Sequence, residues 1–196
     1  MEDTYDMLNY FSVVQEAELK RERAGHIHML ITAAEEGYVD DLRLLIAAKA
    51  DVNDFFNACS GLRFAVDNRH VDAVEYLLSA KADANIGLNM VTAAKNGDVD
   101  ILQLLIAAKG NLEEVFDNQE TPLYVAAEND NVVVVTALLH VQPPPSPPVV
   151  AAAARHAMRT HQYNHRAAKV LLSSLGTSLH DPASGSTALQ LAVKLK

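Results

Sequence analysis

The chain has 196 residues, 49% of them hydrophobic, with one cysteine and a formal net charge of −9. That is enough apolar material to exclude a wholly disordered chain, while the single Cys59 excludes an intramolecular disulfide and leaves a reducing compartment, cytoplasm or nucleus, as the expected location. Residues 1–141 hold ten Lys/Arg against twenty-four Asp/Glu, and residues 142–196 hold six against one, so most of the chain would repel a phosphate backbone and a nucleic-acid partner is not expected.

In chain order, the N-terminal MEDTYDMLNYF carries three acids before any base and lacks the apolar core of a signal peptide. Apolar stretches everywhere fall far short of a membrane span. Tyr5, Leu8, Phe11 and Val14 recur at i, i+3 and predict an amphipathic helix within residues 1–25, either a cap over a terminal apolar face or a docking helix. The sequence then repeats itself. Ala33-Ala34-Glu35-Glu36-Gly37-Tyr38-Val39-Asp40 returns as Ala93-Ala94-Lys95-Asn96-Gly97-Asp98-Val99-Asp100, with Ala65 to Asp72 as a weaker copy between them. Each copy runs into an apolar pattern, and Leu44-Leu45-Ile46-Ala47-Ala48-Lys49 recurs letter for letter at Leu104 to Lys109. With Gly37 as marker, the equivalents are Arg69, Gly97, Asp130, Tyr163 and Lys196, at spacings of 32, 28, 33, 33 and 33. Each unit reads as a helix, a tight turn at the marker, a second helix whose Leu and Ile wedge between neighbours, and a polar connector.

Three departures follow from the spacing. The interval of 28 shortens the connector Ala84-Asn85-Ile86-Gly87 to a stub. Five prolines between Val141 and Val150 replace another connector with an extended, polyproline-like spacer. The helix that follows, from Val149 to about Gln162, is expected to be about two turns longer than its counterparts and is basic, with Arg155, His156, Arg159 and His161.

The phased units, Thr121-Pro122-Leu123-Tyr124-Val125-Ala126, and the pairs Asp51-Val52-Asn53 and Asp83-Ala84-Asn85 resemble the ankyrin-repeat family over about residues 26–196. The resemblance implies an all-α repeat solenoid of helix-turn-helix units joined by short β-hairpins. It divides the chain into an N-terminal capping helix at 1–25 and four repeats at 26–141. An atypical fifth repeat would occupy 142–186, with an incomplete sixth repeat or cap at 187–196. Thr121 and Pro122 suit a helix start. Lys49, Lys81 and Lys109 stand where the family has glycine, at a left-handed helix C-cap.

For function, the resemblance implies a non-catalytic adaptor or scaffold that binds another protein or peptide through hairpin tips and the exposed concave side of the first helices. Carried over by position, the tips are Phe55 and Phe56 in one finger and Glu114, Val115 and Phe116 in another; the alternative is that the rings fold under their own hairpins. The first helices contribute Glu35, Glu36, Asp67, Tyr124 and Glu128. This mainly acidic surface suits a basic or amphipathic partner. The other reading is a targeting or substrate-recruiting region of a larger enzyme or secreted effector. No cofactor or metal is expected: no glycine-rich phosphate loop is present, His161 and His165 lack the Glu of a zincin motif, and Cys59 has no local base or oxyanion donors. The hairpin residues Asn53 and Asn85 match the position that asparaginyl hydroxylases modify in similar proteins, though turn-fixing alone would account for them.

Overall fold

The structure is a computed structural model that describes residues 25–56, 59–116, 120–160 and 166–175, with backbone alone at Phe55, Phe56, Arg159 and Thr160. The expected capping helix, His161, Tyr163, His165 and everything after Leu175 lie outside these residues. Two compact units divide at Ala82 and Asp83.

The first unit runs α1 (25–35), α2 (Val39–Ala47), the hairpin β1 (Phe55–Phe56) and β2 (Cys59–Ser60), α3 (Gly61–Asp67) and α4 (Val71–Ser79). The second holds α5 (Asn89–Asn96), α6 (Val99–Ala107), α7 (Pro122–Glu128), α8 (Val132–Leu139), α9 (Pro147–Thr160) and α10 (Arg166–Leu175). Both are built of helix pairs, an all-α repeat architecture.

Burial repeats with the marker. Seven residues before it stand Leu30, Leu62, Met90 and Leu123, all fully buried or nearly so. Four and three residues before it stand the small pairs Ala33-Ala34, Ala65-Val66, Ala93-Ala94 and Ala126-Ala127, also buried, which let first helices pack closely. In the second helices the buried positions are Leu42 and Leu45, Val74 and Leu77, Leu102 and Leu105, and Val135 and Leu138. Each large side chain contributes about 1.5–3 kcal/mol on full burial, and no helix pair could cover this surface alone. The repeated LLIAAK is correspondingly divided: its second Leu is core, but Leu44 is 70% exposed and Ile46 and Ile106 are half-buried. The expectation that every Leu and Ile of that phrase wedges between neighbours fails, because at 3.6 residues per turn Leu44 and Leu45 point about 100° apart.

The turns carry backbone strain at repeated places. Gly37, Arg69, Gly97 and Asp130, the markers, all have positive φ, and so do Lys49 (66°), Lys81 (73°) and Lys109 (63°) after the second helices. At Lys109 the amide donates to Ile106 O and that of Gly110 to Leu105 O, the paired bonds that close a helix through a left-handed residue. The same pair forms at Lys49 and at Lys81. At Gly97 φ is 76°, a conformation that strains a side-chain-bearing residue, and a Cβ there would stand 2.6 Å from Asn131 Nδ2.

Helix starts vary. Ser60 Oγ accepts from Arg63 N at 3.3 Å, Thr121 Oγ1 from Tyr124 N at 3.2 Å with Pro122 in the first turn, and Asn131 Oδ1 from Val134 N at 3.2 Å. Residues 83–88 contain no strand, so the shortened connector is a bare turn. The long helix α9 has 14 residues against 7 in α3 and α7. It begins at Pro147 rather than the expected Val149, since two prolines in a first turn sacrifice no intrahelical hydrogen bond. Pro145 is buried and Pro147 is helical, so the proline segment is not an extended polyproline stretch throughout.

Candidate partner-binding surfaces

Each connector is fixed by its own polar residues before any partner arrives. Asp51 Oδ1 accepts from Asn53 N at 3.0 Å, Asp83 Oδ1 from Asn85 N at 2.9 Å, and Asn111 Oδ1 from Glu113 N at 3.0 Å. These are turns in which a side chain replaces a backbone acceptor two residues on. The second residue of each pair then reaches toward the following repeat. Asn53 Nδ2 donates to Lys81 O at 3.2 Å, Asn111 N donates to Asn85 Oδ1 at 2.8 Å, and Ser146 N donates to Glu113 Oε1 at 2.7 Å. Glu113 thus stands at the position of Asn53 and Asn85, and hydrogen bonds from the Ser146 side chain and amide hold its carboxyl below the usual carboxylate range. Both asparagines have a structural role in the turns.

On these bases stand the fingers. In the first unit Phe55 pairs with Ser60 and Phe56 with Cys59 in antiparallel register. In the second unit Phe116 bridges Glu120, its amide donating to the Glu120 carbonyl at 3.0 Å. Val115 is 55% and Phe116 46% exposed, so neither side chain is folded beneath its own finger.

Glu114 departs from its expected place at the tip. It is only 8% exposed, and its Oε1 accepts from Val91 N at 2.8 Å in the first turn of α5. The reason lies in α5, which starts after Leu88 with no side-chain cap of its own. A carboxylate at a helix N-terminus meets unsatisfied N–H groups and the positive end of the helix dipole, and Glu114 supplies it from the neighbouring finger. Nothing local in the sequence marked this, since α2, α4 and α6 also start without a side-chain cap.

The family model described as ankyrin repeats (3 copies) matches residues 87–146, the stretch that holds α5 to α8 and this finger. Residues 87–146 are similar to ankyrin repeats. No curated protein matches the chain. Ankyrin repeats are generally protein–protein interaction modules, and in that light the remaining candidate residues of the first helices can be placed.

In the first unit Glu35 and Glu36 are exposed, and the Glu35 carbonyl lies 2.9 Å from His70 Nε2. Asp67 is exposed but paired with Arg63 at 2.8 Å, a contact worth little in water. In the second unit Tyr124 and Glu128 converge on one histidine. The Tyr124 hydroxyl lies 2.6 Å from His156 Nδ1, the rings stack at 4.0 Å, and His156 Nε2 lies 3.3 Å from Glu128 Oε1. These two residues therefore join α7 to the long helix α9, a contact that sequence reasoning missed because it placed Tyr124 and Glu128 on the exposed side of the first helices. Among the described residues no group of three or more His, Cys, Asp and Glu could hold a metal ion, and no helix is long and apolar enough to cross a membrane.

Proposed function

We propose that the chain is a non-catalytic protein-interaction module, an adaptor or scaffold, that engages a basic or amphipathic protein segment through its hairpin tips, with acidic first-helix residues steering the approach. The observation that carries this is the pair Val115 and Phe116: two adjacent large apolar side chains exposed on a finger whose base is fixed by Glu113 and Glu114. Burying an aromatic ring at an interface without having to order its support is how a few residues come to dominate binding. Phe56 occupies the same repeat position as Phe116, and Phe55, Glu35, Glu36, Asp67, Tyr124 and Glu128 complete the proposed contact set. Tyr124 and Glu128 would take part with His156 as one polar cluster rather than as separate side chains.

The test is affinity capture from a cell lysate with the full chain and with a Phe56→Ala, Phe116→Ala double variant, compared by quantitative mass spectrometry. A captured protein that the wild-type chain retains and the double variant loses supports the proposal. Identical captures by both would remove the tips from the binding surface.

A further inference from the structure

Where α9 packs against α7, three titratable side chains stand in a row. The Tyr124 hydroxyl lies 2.6 Å from His156 Nδ1, His156 Nε2 lies 3.3 Å from Glu128 Oε1, and the two rings stack with centroids 4.0 Å apart. Tyr124 and Glu128 are spaced i, i+4 on α7 and so share one face of that helix, and His156 reaches both from α9. The His156 side chain is 14% exposed and that of Glu128 43%, so the ring is sheltered while its carboxylate partner stays in contact with water.

This geometry decides where the protons sit. A neutral imidazole has one N–H donor and one acceptor nitrogen, and a carboxylate only accepts. The nitrogen that faces Glu128 therefore carries the proton, and Nε2–H donates to Oε1. Nδ1 is left as the acceptor, so the Tyr124 hydroxyl donates to it. The other tautomer would set the Nε2 lone pair against an anionic oxygen. When the ring takes up a proton at Nδ1, both nitrogens become donors. Nε2–H still meets Glu128, now in a charge-assisted bond, but Nδ1–H is met by the Tyr124 oxygen. The phenol then turns from donor to acceptor, and its own proton swings away from the ring.

Histidine is the side chain whose charge ordinarily changes between about pH 5 and pH 8. Of the elements packed against α9, α7 brings Tyr124 and Glu128, and α10 brings Arg166 and Lys169, both exposed. Arg155 and Arg159 lie near the ring along α9 itself, and Asp130, after α7, accepts from Ala167 N at 2.8 Å. The cations oppose charging of the imidazole, whereas Glu128, the anion in contact with it, favours it. We infer that Tyr124, His156 and Glu128 form a pH-operated switch on the first-helix face, in which protonation of His156 compensates the Glu128 charge and reverses the Tyr124 hydroxyl bond. Its consequence for a partner rests on the reading of this face as part of a protein-binding surface: a basic segment meets an anion while His156 is neutral and a compensated ion pair once it is charged, so its affinity falls as pH falls. The switch itself is a property of the chain alone.

The test uses the full chain without a partner, labelled with ¹⁵N in histidine and with ¹³C at tyrosine Cζ, and titrated by nuclear magnetic resonance from about pH 8 to about pH 5. At the alkaline end the His156 ring nitrogens should report the Nε2–H tautomer. As His156 takes its proton, the Tyr124 Cζ signal should move upfield with the same midpoint, because an oxygen that accepts from a cation loses the electron density it held as a donor; Tyr124→Phe assigns that signal by removing it. Glu128→Gln keeps an acceptor for Nε2–H but loses the charge, and should lower the His156 midpoint by about 0.3–0.7 pH unit, the range for a partly exposed ion pair. An Nδ1–H tautomer, a Tyr124 Cζ signal that does not follow His156, no His156 titration in this range, or a midpoint unmoved or raised in Glu128→Gln would each overturn the inference. The tautomer and Cζ readouts are taken on the unaltered chain, so they decide the matter even where a substitution disturbs the fold. Failure here leaves the fingertips Val115 and Phe116 as the proposed anchors, and failure of the fingertip reading leaves this titration as it is.

Discussion

Replacing Glu114 with alanine removes the cap of α5 without touching α5 itself. In the folded chain its Oε1 accepts from Val91 N at 2.8 Å, and both residues are buried, so water cannot readily take the place of the carboxylate. A charge-assisted hydrogen bond of this kind is worth about 1.5–3 kcal/mol, and the favourable interaction with the helix N-terminus adds about 0.3–1 kcal/mol. Relief from holding a carboxylate away from water offsets part of that sum. The expected loss for Glu114→Ala is therefore about 2 kcal/mol, and Glu114→Gln, which retains an acceptor, should lose about half as much. Urea unfolding followed by far-ultraviolet circular dichroism gives the two values, and native-state hydrogen exchange at Val91 locates the effect. A loss below about 0.5 kcal/mol for the alanine variant, with exchange at Val91 unchanged, would refute the capping role.

Further perturbations probe the turns and the clamp. Gly97→Ala must hold alanine at φ 76° and push Asn131 from its place as cap of α8; about 2–3 kcal/mol of stability should be lost, measured by the same urea titration. The opposite sign is expected for the triple variant Lys49→Gly, Lys81→Gly, Lys109→Gly. Relief of left-handed strain outweighs the entropy glycine adds to the unfolded chain by about 0.5 kcal/mol per site, and a lower urea midpoint would show that the lysine charges matter more than the strain. Glu113 has a folded pKa below its ordinary value, so its contribution to stability is present at neutral pH and is lost as pH falls through the folded pKa. The stability difference between wild type and Glu113→Gln, followed by urea titration from pH 7 to pH 3, should therefore shrink toward acid, and a difference independent of pH would contradict the Ser146 clamp.

The repeat architecture was legible because its physics is periodic. Leu30, Leu62, Met90 and Leu123 are buried at one phase, and the residues that recur at that phase in the sequence are large and apolar. The left-handed turns at Lys49, Lys81 and Lys109 followed from the resemblance, which puts glycine at that helix C-cap. The length of α9 followed from the extra residues between Val149 and Tyr163. What escaped was everything decided by a neighbour in space. Glu114 reads as a tip residue until α5 is seen to lack a cap, and its burial becomes favourable only against those unsatisfied amides. Tyr124 and Glu128 read as free first-helix side chains, yet each meets His156 from α9.

The proposal that binding resides in exposed fingertips, apart from the packed helices, is tested most directly on Phe116→Ala against a protein captured by the wild-type chain. The dissociation constant and the thermal midpoint are measured on the same preparation. An exposed anchor predicts binding at least about tenfold weaker with the midpoint shifted by no more than about 2 °C. Unchanged affinity, or a fall in the midpoint that accounts for the loss of binding, would contradict it.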